Sequence, residues 1–192
     1  MSMLGNAKAH LHTINKHKML VMENCFKVGL YRQGLCHDLS KYSPEEFLTG
    51  VRYYQGHRSP NTAERDDLGY SLAWLHHKGR NKHHFEYWLD QRANRDPEYV
   101  GKPMPTRYVV EMLCDRVAAC KVYQGEAYTE RSPLEYFLME QSTGKVLMHE
   151  DTRAFLFWLL ELFAEKGEDA TFDFVRNHIV KPRFVYGEHG AF

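Results

Sequence analysis

Residues 37–47 read His-Asp-Leu-Ser-Lys-Tyr-Ser-Pro-Glu-Glu-Phe, and this stretch joins a helix start to a candidate site. Ser43-Pro44-Glu45-Glu46 is a capping-box start. A serine hydroxyl can accept from an orphan amide, proline has the right φ for the first helical position, and glutamate follows three residues on. Ser132-Pro133-Leu134-Glu135 repeats the device. Just upstream, Gly29 and Gly34 punctuate a turn into a short helix predicted to carry Leu35-Cys36-His37-Asp38-Leu39. Outward from there, apolar residues recur at helical spacing through most of the chain, and alternating β-branched runs are nearly absent. The reading is an all-α protein.

The first helix is predicted over about 7–28, with His10, Thr13, His17, Leu20, Val21, Asn24 and Val28 on one face. A second long helix starts at Asn61 or Thr62 and reaches His77. Lys78-Gly79-Arg80 breaks the chain before a helix over about 82–92. The three prolines and the glycine of residues 96–105 make a connection. Thr106 caps a helix to about Tyr123, and closing helices follow over 133–143, 149–166 and 170–180. No linker splits the chain, so one domain over 1–192 is expected, with a core at 8–125 and closing helices and tail at 126–192.

The chain has 192 residues, 43% of them hydrophobic, with 25 Lys+Arg against 25 Asp+Glu. That composition suits a compact domain. The absent basic excess argues against blanket phosphate neutralisation, so there is no strong nucleic-acid signal. The stretch from Met1 to His17 is polar and carries no apolar signal-peptide core, and no apolar run is long enough for a membrane span. Cys25, Cys36, Cys114 and Cys120 form no C-x-x-C pair and read as reduced core thiols. A cytoplasmic location is expected. The closing helices, with Phe155, Phe157, Trp158, Leu159 and Leu160, could complete the core or form a homodimer surface.

Histidine is the unusual component: twelve, four of them within residues 76–84. On a helical wheel Asp115 falls among Tyr108, Met112, Ala119 and Val122, an apolar face where an unpaired carboxylate would cost several kcal/mol. His17 poses the same problem on the first helix. An adjacent His37-Asp38 pair offers an imidazole nitrogen and a carboxylate oxygen, which suits a borderline divalent metal such as Mn, Fe, Zn, Co or Ni. His17, His37-Asp38, the histidine cluster and Asp115 lie on four separate segments. Lys41, Lys78, Arg80 and Lys82 flank them, and arginine can bind phosphate bidentately. Glu45, Glu46, Glu86 and Glu111 are the acids available as a general base.

The order His, His-Asp, further histidines, Asp resembles the HD-domain superfamily of metal-dependent phosphohydrolases. The likeness rests on His17, on His37-Asp38-Leu39-Ser40-Lys41 and on Cys114-Asp115-Arg116-Val117-Ala118-Ala119. It implies a helical bundle with a metal site between helices, holding one or two divalent ions through His17, His37, Asp38 and Asp115. Asp38 and Lys41 would be catalytic, and Lys41 and Arg80 would contact the phosphate of a small phosphorylated substrate.

A closer resemblance is to DUF5662, a family of uncharacterised bacterial and phage proteins. It is carried by residues 37–47, by the run from Trp74 through His76-His77-Lys78-Gly79-Arg80-Asn81-Lys82-His83-His84 to Trp88, and by Met104-Pro105 leading to Glu111-Met112-Leu113-Cys114-Asp115. Histidine spacing departs from the well-studied HD enzymes, since only six residues separate His77 from His84. The wheel favours His76, but the His-x-x-x-Asn-x-His-His pattern of the relatives starts at His77. His77 and His84 are therefore expected at a second ion, with His76 and His83 able to substitute. Two alternatives accompany the phosphohydrolase expectation: a di-iron HD-fold oxygenase and a non-catalytic metal-containing binding protein.

Overall fold

A computed structural model describes residues 2–93, 99–144, 146–188 and 190–192, and they form an all-α bundle with one short hairpin. Helix α1 spans Met3–Val28. It starts earlier than the pattern suggests because Ser2 caps it, accepting from the Gly5 amide. It ends at Gly29, which takes the left-handed φ of 89° of a helix C-cap while the Leu30 amide donates back to Cys25 O. His10, Ile14, His17, Val21, Asn24, Cys25 and Val28 form its buried face.

Helix α2, Tyr31–Cys36, packs on α1, and α3, Pro44–Arg52, begins at the Ser43 cap as expected. The expected helix to His77 is two helices, α4 at Pro60–Leu68 and α5 at Leu72–Lys78. Gly69 enters the left-handed region at φ 80°, and Ser71 then caps α5 through the Trp74 amide. The expected helix over 82–92 is also corrected. Turns closed by His84 N to Asn81 O and Tyr87 N to His84 O lead into a 3-10 turn at Phe85–Trp88. Strand β1, Leu89–Gln91, then pairs antiparallel with β2, Tyr99–Gly101. The predicted 96–105 connection lies partly outside the described residues.

Helix α6, Thr106–Gln124, is the central element and packs against α1, α7 and α8. Thr106 is its first residue rather than its cap. Asn24 Nδ2 pins α1 to it by donating to Cys114 O at 3.1 Å. In α7, Ser132–Ser142, the second capping device is displaced: Arg131 holds the cap position, and Ser132 Oγ accepts from the Thr129 amide. Helices α8, Glu150–Lys166, and α9, Glu168–Val175, close the bundle, the latter running into a π-turn at Arg176–Val180.

Leu156, Leu159, Leu160, Phe163, Phe172 and Val175 of these closing helices pack in one cluster with Val110, Leu113 and Val117 of α6 and Val21, Cys25 and Val28 of α1. Cys25, Cys114 and Cys120 are buried, but Cys36 is exposed at the end of α2, which corrects its reading as a core thiol. Among the described residues no helix is long and apolar enough to cross a membrane.

Helices α1 and α3 approach closely at Gly50, where a β-carbon would stand 1.9 Å from His10 Nε2. Gly50→Ala gains helix propensity worth up to about 1 kcal/mol, yet the overlap is expected to cost about 1–3 kcal/mol. Urea denaturation of Gly50→Ala, His10→Ala and the double variant checks this. The double variant should recover most of the loss, because removing the imidazole removes the overlap.

Candidate metal centre

Five segments deliver the polar residues to one buried place. Helix α1 brings His17, and α6 brings Glu111 and Asp115. The C-terminal end of α5 brings His77, and the turn after it brings His83 and His84. His37 and Asp38 do not lie on a helix as the sequence suggests. Helix α2 stops at Cys36, His37 leaves the helix in a turn at φ −53° and ψ 127°, and Asp38 takes the left-handed φ of 53°. Lys18 Nζ satisfies the frayed end, donating to Leu35 O at 2.9 Å and His37 O at 3.0 Å. On a helix consecutive side chains diverge by about 100°. The left-handed residue removes that divergence and lets both side chains face the same cluster.

Two groups of atoms share Asp38. On one side His17 Nε2 lies 2.9 Å from Asp115 Oδ1 and 3.8 Å from Asp38 Oδ2, while His37 Nε2 lies 3.4 Å from each. On the other side Asp38 Oδ1 lies 3.3 Å from His77 Nε2 and 3.4 Å from His83 Nε2, and His84 Nε2 is 2.9 Å from His77 Nε2. Donors held about 2.0–2.2 Å from one tetrahedral or octahedral ion stand about 3.0–3.5 Å apart. Both groups are close to that spacing, and each could hold a metal ion.

Carboxylates behind the histidines fix which nitrogen faces inward. Glu111 Oε1 accepts from His37 Nδ1 at 3.0 Å and lies 3.3 Å from His83 Nδ1, and Glu46 Oε2 accepts from His77 Nδ1 at 2.8 Å. In a neutral ring with Nδ1 protonated toward a carboxylate, Nε2 keeps its lone pair for a ligand, the usual outer arrangement of a metal-binding histidine. His17 Nε2, His37 Nε2, His83 Nε2 and Asp38 Oδ1 are buried with no hydrogen-bond partner among the described residues. Orphaned buried acceptors of this kind fit a cation, and the donor set fits a borderline divalent one.

Charge in the cluster points the same way. Burial alone would raise the Asp38 carboxyl, but His37, Lys41 and His77 outweigh it and hold it well below the usual range. Asp115 is likewise held low, its burial outweighed by His17 and His37. Burial pushes His17 down, and burial together with His83 and His77 pushes His84 well down, so both present neutral imidazoles. His37 is raised despite burial, because Asp38, Asp115 and Glu111 surround it. A divalent cation would compete for the place that its proton occupies.

A family model described as a family of unknown function, DUF5662, matches residues 6–162. The chain belongs to this family. No curated protein and no solved structure matches it. The DUF5662 span contains every residue of the cluster, from His17 to Asp115, and ends inside α8.

Within this DUF5662 chain, His17, His37, Asp38, His77, His84 and Asp115 are brought together. Lys41 joins them, with Nζ 2.6 Å from Asp38 Oδ2. Arg80 is not brought in; it is exposed at the end of α5 and donates to His76 O at 3.3 Å. His76 turns outward to Glu46 Oε1, whereas His83 turns inward. Glu46 and Glu111, candidate bases in the sequence, orient imidazoles instead. The spacing of Glu111 and Asp115, four apart on one helix face, is the signal that points to a partnership.

Of the aromatic residues, Trp74 lines the adjoining cavity but is stacked on His77 at 5.5 Å with the Arg65 guanidinium 5.4 Å from its ring. Trp88 and Tyr108 pack on each other, and Tyr42 donates to Asn15. His189 lies outside the described residues.

Glu111→Gln keeps the shape but weakens the acceptor of two imidazole N–H groups. A loss of about 10–100-fold in metal affinity is expected, measured by competition with a chromophoric chelator. Unchanged affinity would remove Glu111 from the centre.

Proposed function

We propose that this chain is a divalent-metal-dependent phosphohydrolase acting on a small phosphorylated molecule. The observation that carries the reading is Asp38, whose two oxygens face two different sets of inward-turned imidazole nitrogens at metal-ligand spacing. His17, His37, Asp38 and Asp115 would hold one ion, and Asp38, His77, His83 and His84 a second. The HD-type order of these residues supports the same reading. Bound ions of this class supply Lewis acidity toward a phosphoryl oxygen and acidify water toward pH 7.

The chain's own residues supply orientation and charge. Glu46 and Glu111 hold the imidazoles, so the ligand atoms need no rearrangement. Burial would lower the Lys41 ammonium, but Asp38 and Asp115 outweigh it and keep it charged, so it can donate to a phosphoryl oxygen. Trp74 packs against the rings of His77 and His84, which limits their rotation.

The test is metal analysis of the protein as purified, followed by hydrolysis of a panel of phosphate esters before and after chelation. Two ions per chain are expected, with hydrolysis lost on chelation and restored by stoichiometric metal. A protein that takes up no transition metal, or hydrolysis indifferent to chelation, would overturn the proposal. Two irons with oxygen uptake in place of hydrolysis would move the chain to the oxygenase alternative. Lys41→Met is expected to retain its metal and to raise KM for a phosphate ester at least tenfold, read from steady-state kinetics.

A further inference from the structure

The cavity beside the metal cluster measures about 580 Å³, within the range of small-molecule sites. Among the described residues, Lys41, Arg58, Arg65 and Arg116 are the lysines and arginines that line it. Three of them are paired with a carboxylate. Lys41 Nζ lies 2.6 Å from Asp38 Oδ2, Arg58 Nη1 lies 2.8 Å from Asp66 Oδ2, and Arg116 Nη2 lies 2.7 Å from Glu140 Oε2. Arg65 is exposed on α4 and has no ion-pair partner among the described residues. The acids of its own helix are engaged elsewhere. Glu64 is buried and accepts from Ser71 Oγ and the Ala73 amide, Asp66 takes Arg58, and Asp67 Oδ2 accepts from Tyr53 at 2.6 Å.

Trp74 places this free cation beside the metal cluster. The guanidinium carbon is 5.4 Å from the indole ring, which is itself 4.7 Å from the His84 ring, so Arg65 stands no more than about 10 Å from an expected ligand of the second ion. Stacking on an indole steadies a guanidinium and leaves its N–H edge open, and that edge binds a phosphate or carboxylate through two parallel hydrogen bonds. The acids that line the cavity belong to its other walls. Asp38 and Asp115 face the ion positions, Glu46 holds His76 and His77, and Glu140 is paired with Arg116. Glu86 lies after His84, within electrostatic reach of Lys78 and Arg116 as well as Glu140. The wall from Tyr54 to Arg65 presents no carboxylate to the cavity, and its His57 ring is tied to the Gln55 carbonyl.

From this arrangement we infer that Arg65 binds a second anionic group of the substrate, a phosphate or carboxylate joined by a spacer to the phosphate held at the ions. The substrate class is then a small molecule with an anion at each end. Trp74 acts as the platform that keeps the guanidinium at a fixed reach from the metal cluster. The inference rests on the phosphohydrolase reading for the first phosphate only, since Arg65 would grip the second group whether or not the ester is cleaved.

The experiment is calorimetric titration of the intact, metal-loaded protein with non-hydrolysable probes. Straight-chain α,ω-diphosphonates of four, six and eight carbons bracket the reach, and each is compared with the ω-hydroxyalkylphosphonate and the ω-carboxyalkylphosphonate of the same length. At one length or more, the diphosphonate or the carboxylate-ended probe is expected to bind at least fivefold more tightly than the hydroxyl-ended one, and the better of the two names the second group. In Arg65→Met, which keeps an unbranched stem on the indole, that advantage should fall below twofold. The comparison among probes needs no variant, so it stands even where the substitution disturbs folding.

Equal binding of the charged and hydroxyl-ended probes at every length would overturn the inference. So would an advantage that survives in Arg65→Met, because the gain would then come from the ions' own charge. An Arg65-dependent advantage in a protein that hydrolyses no phosphate ester would overturn the phosphohydrolase reading alone. Hydrolysis of phosphate esters without any preference for a second anion would overturn this inference alone.

Discussion

Asp38→Ala is expected to empty both ion positions at once, leaving less than a tenth of the wild-type metal and no hydrolysis above background. One carboxylate serves both groups, with Oδ2 toward His17 and His37 and Oδ1 toward His77 and His83, so no other single substitution removes a ligand from each. Asp115→Ala, by contrast, should empty only the first position and His84→Ala only the second. Metal content per chain, measured for the three variants side by side, checks the pattern. Equal retention of one ion in all three would separate Asp38 from its bridging role. Asp38 is also buried among imidazoles and Lys41, and removing one member of a buried ion pair costs about 3–5 kcal/mol. Asp38→Asn keeps the volume and separates loss of charge from loss of packing.

Phe163→Ala is expected to produce the largest purely structural effect, about 3–5 kcal/mol. Phe163 is fully buried in α8 and packs on Phe172 of α9 at a ring separation of 5.7 Å, so its removal opens a cavity between the closing helices and α6. At about 2–4 °C per kcal/mol for a chain of this size, the melting temperature should fall by about 6–20 °C. Thermal melts followed by circular dichroism measure it. The variant should retain its metal at low temperature, because no ligand lies on α8 or α9. The matched family span ends one residue before Phe163, yet Phe172, Val175 and Ile179 beyond it belong to the cluster that buries Val21 and Cys25 of α1. A melt unchanged by the substitution would mean that these helices add little to the stability of the rest.

Much of the architecture was legible in the residues. The 3.6-residue recurrence of apolar positions places α1, α6 and α8, and Ser43-Pro44 places the start of α3, because caps and helical faces are local properties. The hairpin at 89–101 was missed for the opposite reason. Its strands are three residues each, too short for an alternating pattern to register, and their pairing, Leu89 with Gly101 and Gln91 with Tyr99, is not written in either strand alone. The split between α4 and α5 turns on Gly69, and a glycine within a helical pattern does not announce by itself whether it will adopt positive φ.

The candidate site divides along the same line. His17 and Asp115 stand out from sequence alone, because a helical wheel puts each polar group on a buried face. Which of His76, His77, His83 and His84 turn inward was decided by the tertiary structure. Side-chain direction in a turn follows from backbone dihedrals and from partners that arrive on other helices. Glu46 takes His76 outward while holding His77 inward, and Glu111, 74 residues from His37, sets the inward nitrogen of that ring. The left-handed φ of Asp38, which lets neighbouring residues serve one cluster, likewise exists only in the folded chain. Sequence periodicity therefore determined that this is an all-α protein with histidines and carboxylates on its inner faces. The packing of separate helices decided which nitrogen and oxygen atoms converge, because convergence is a relation between segments that no local pattern encodes.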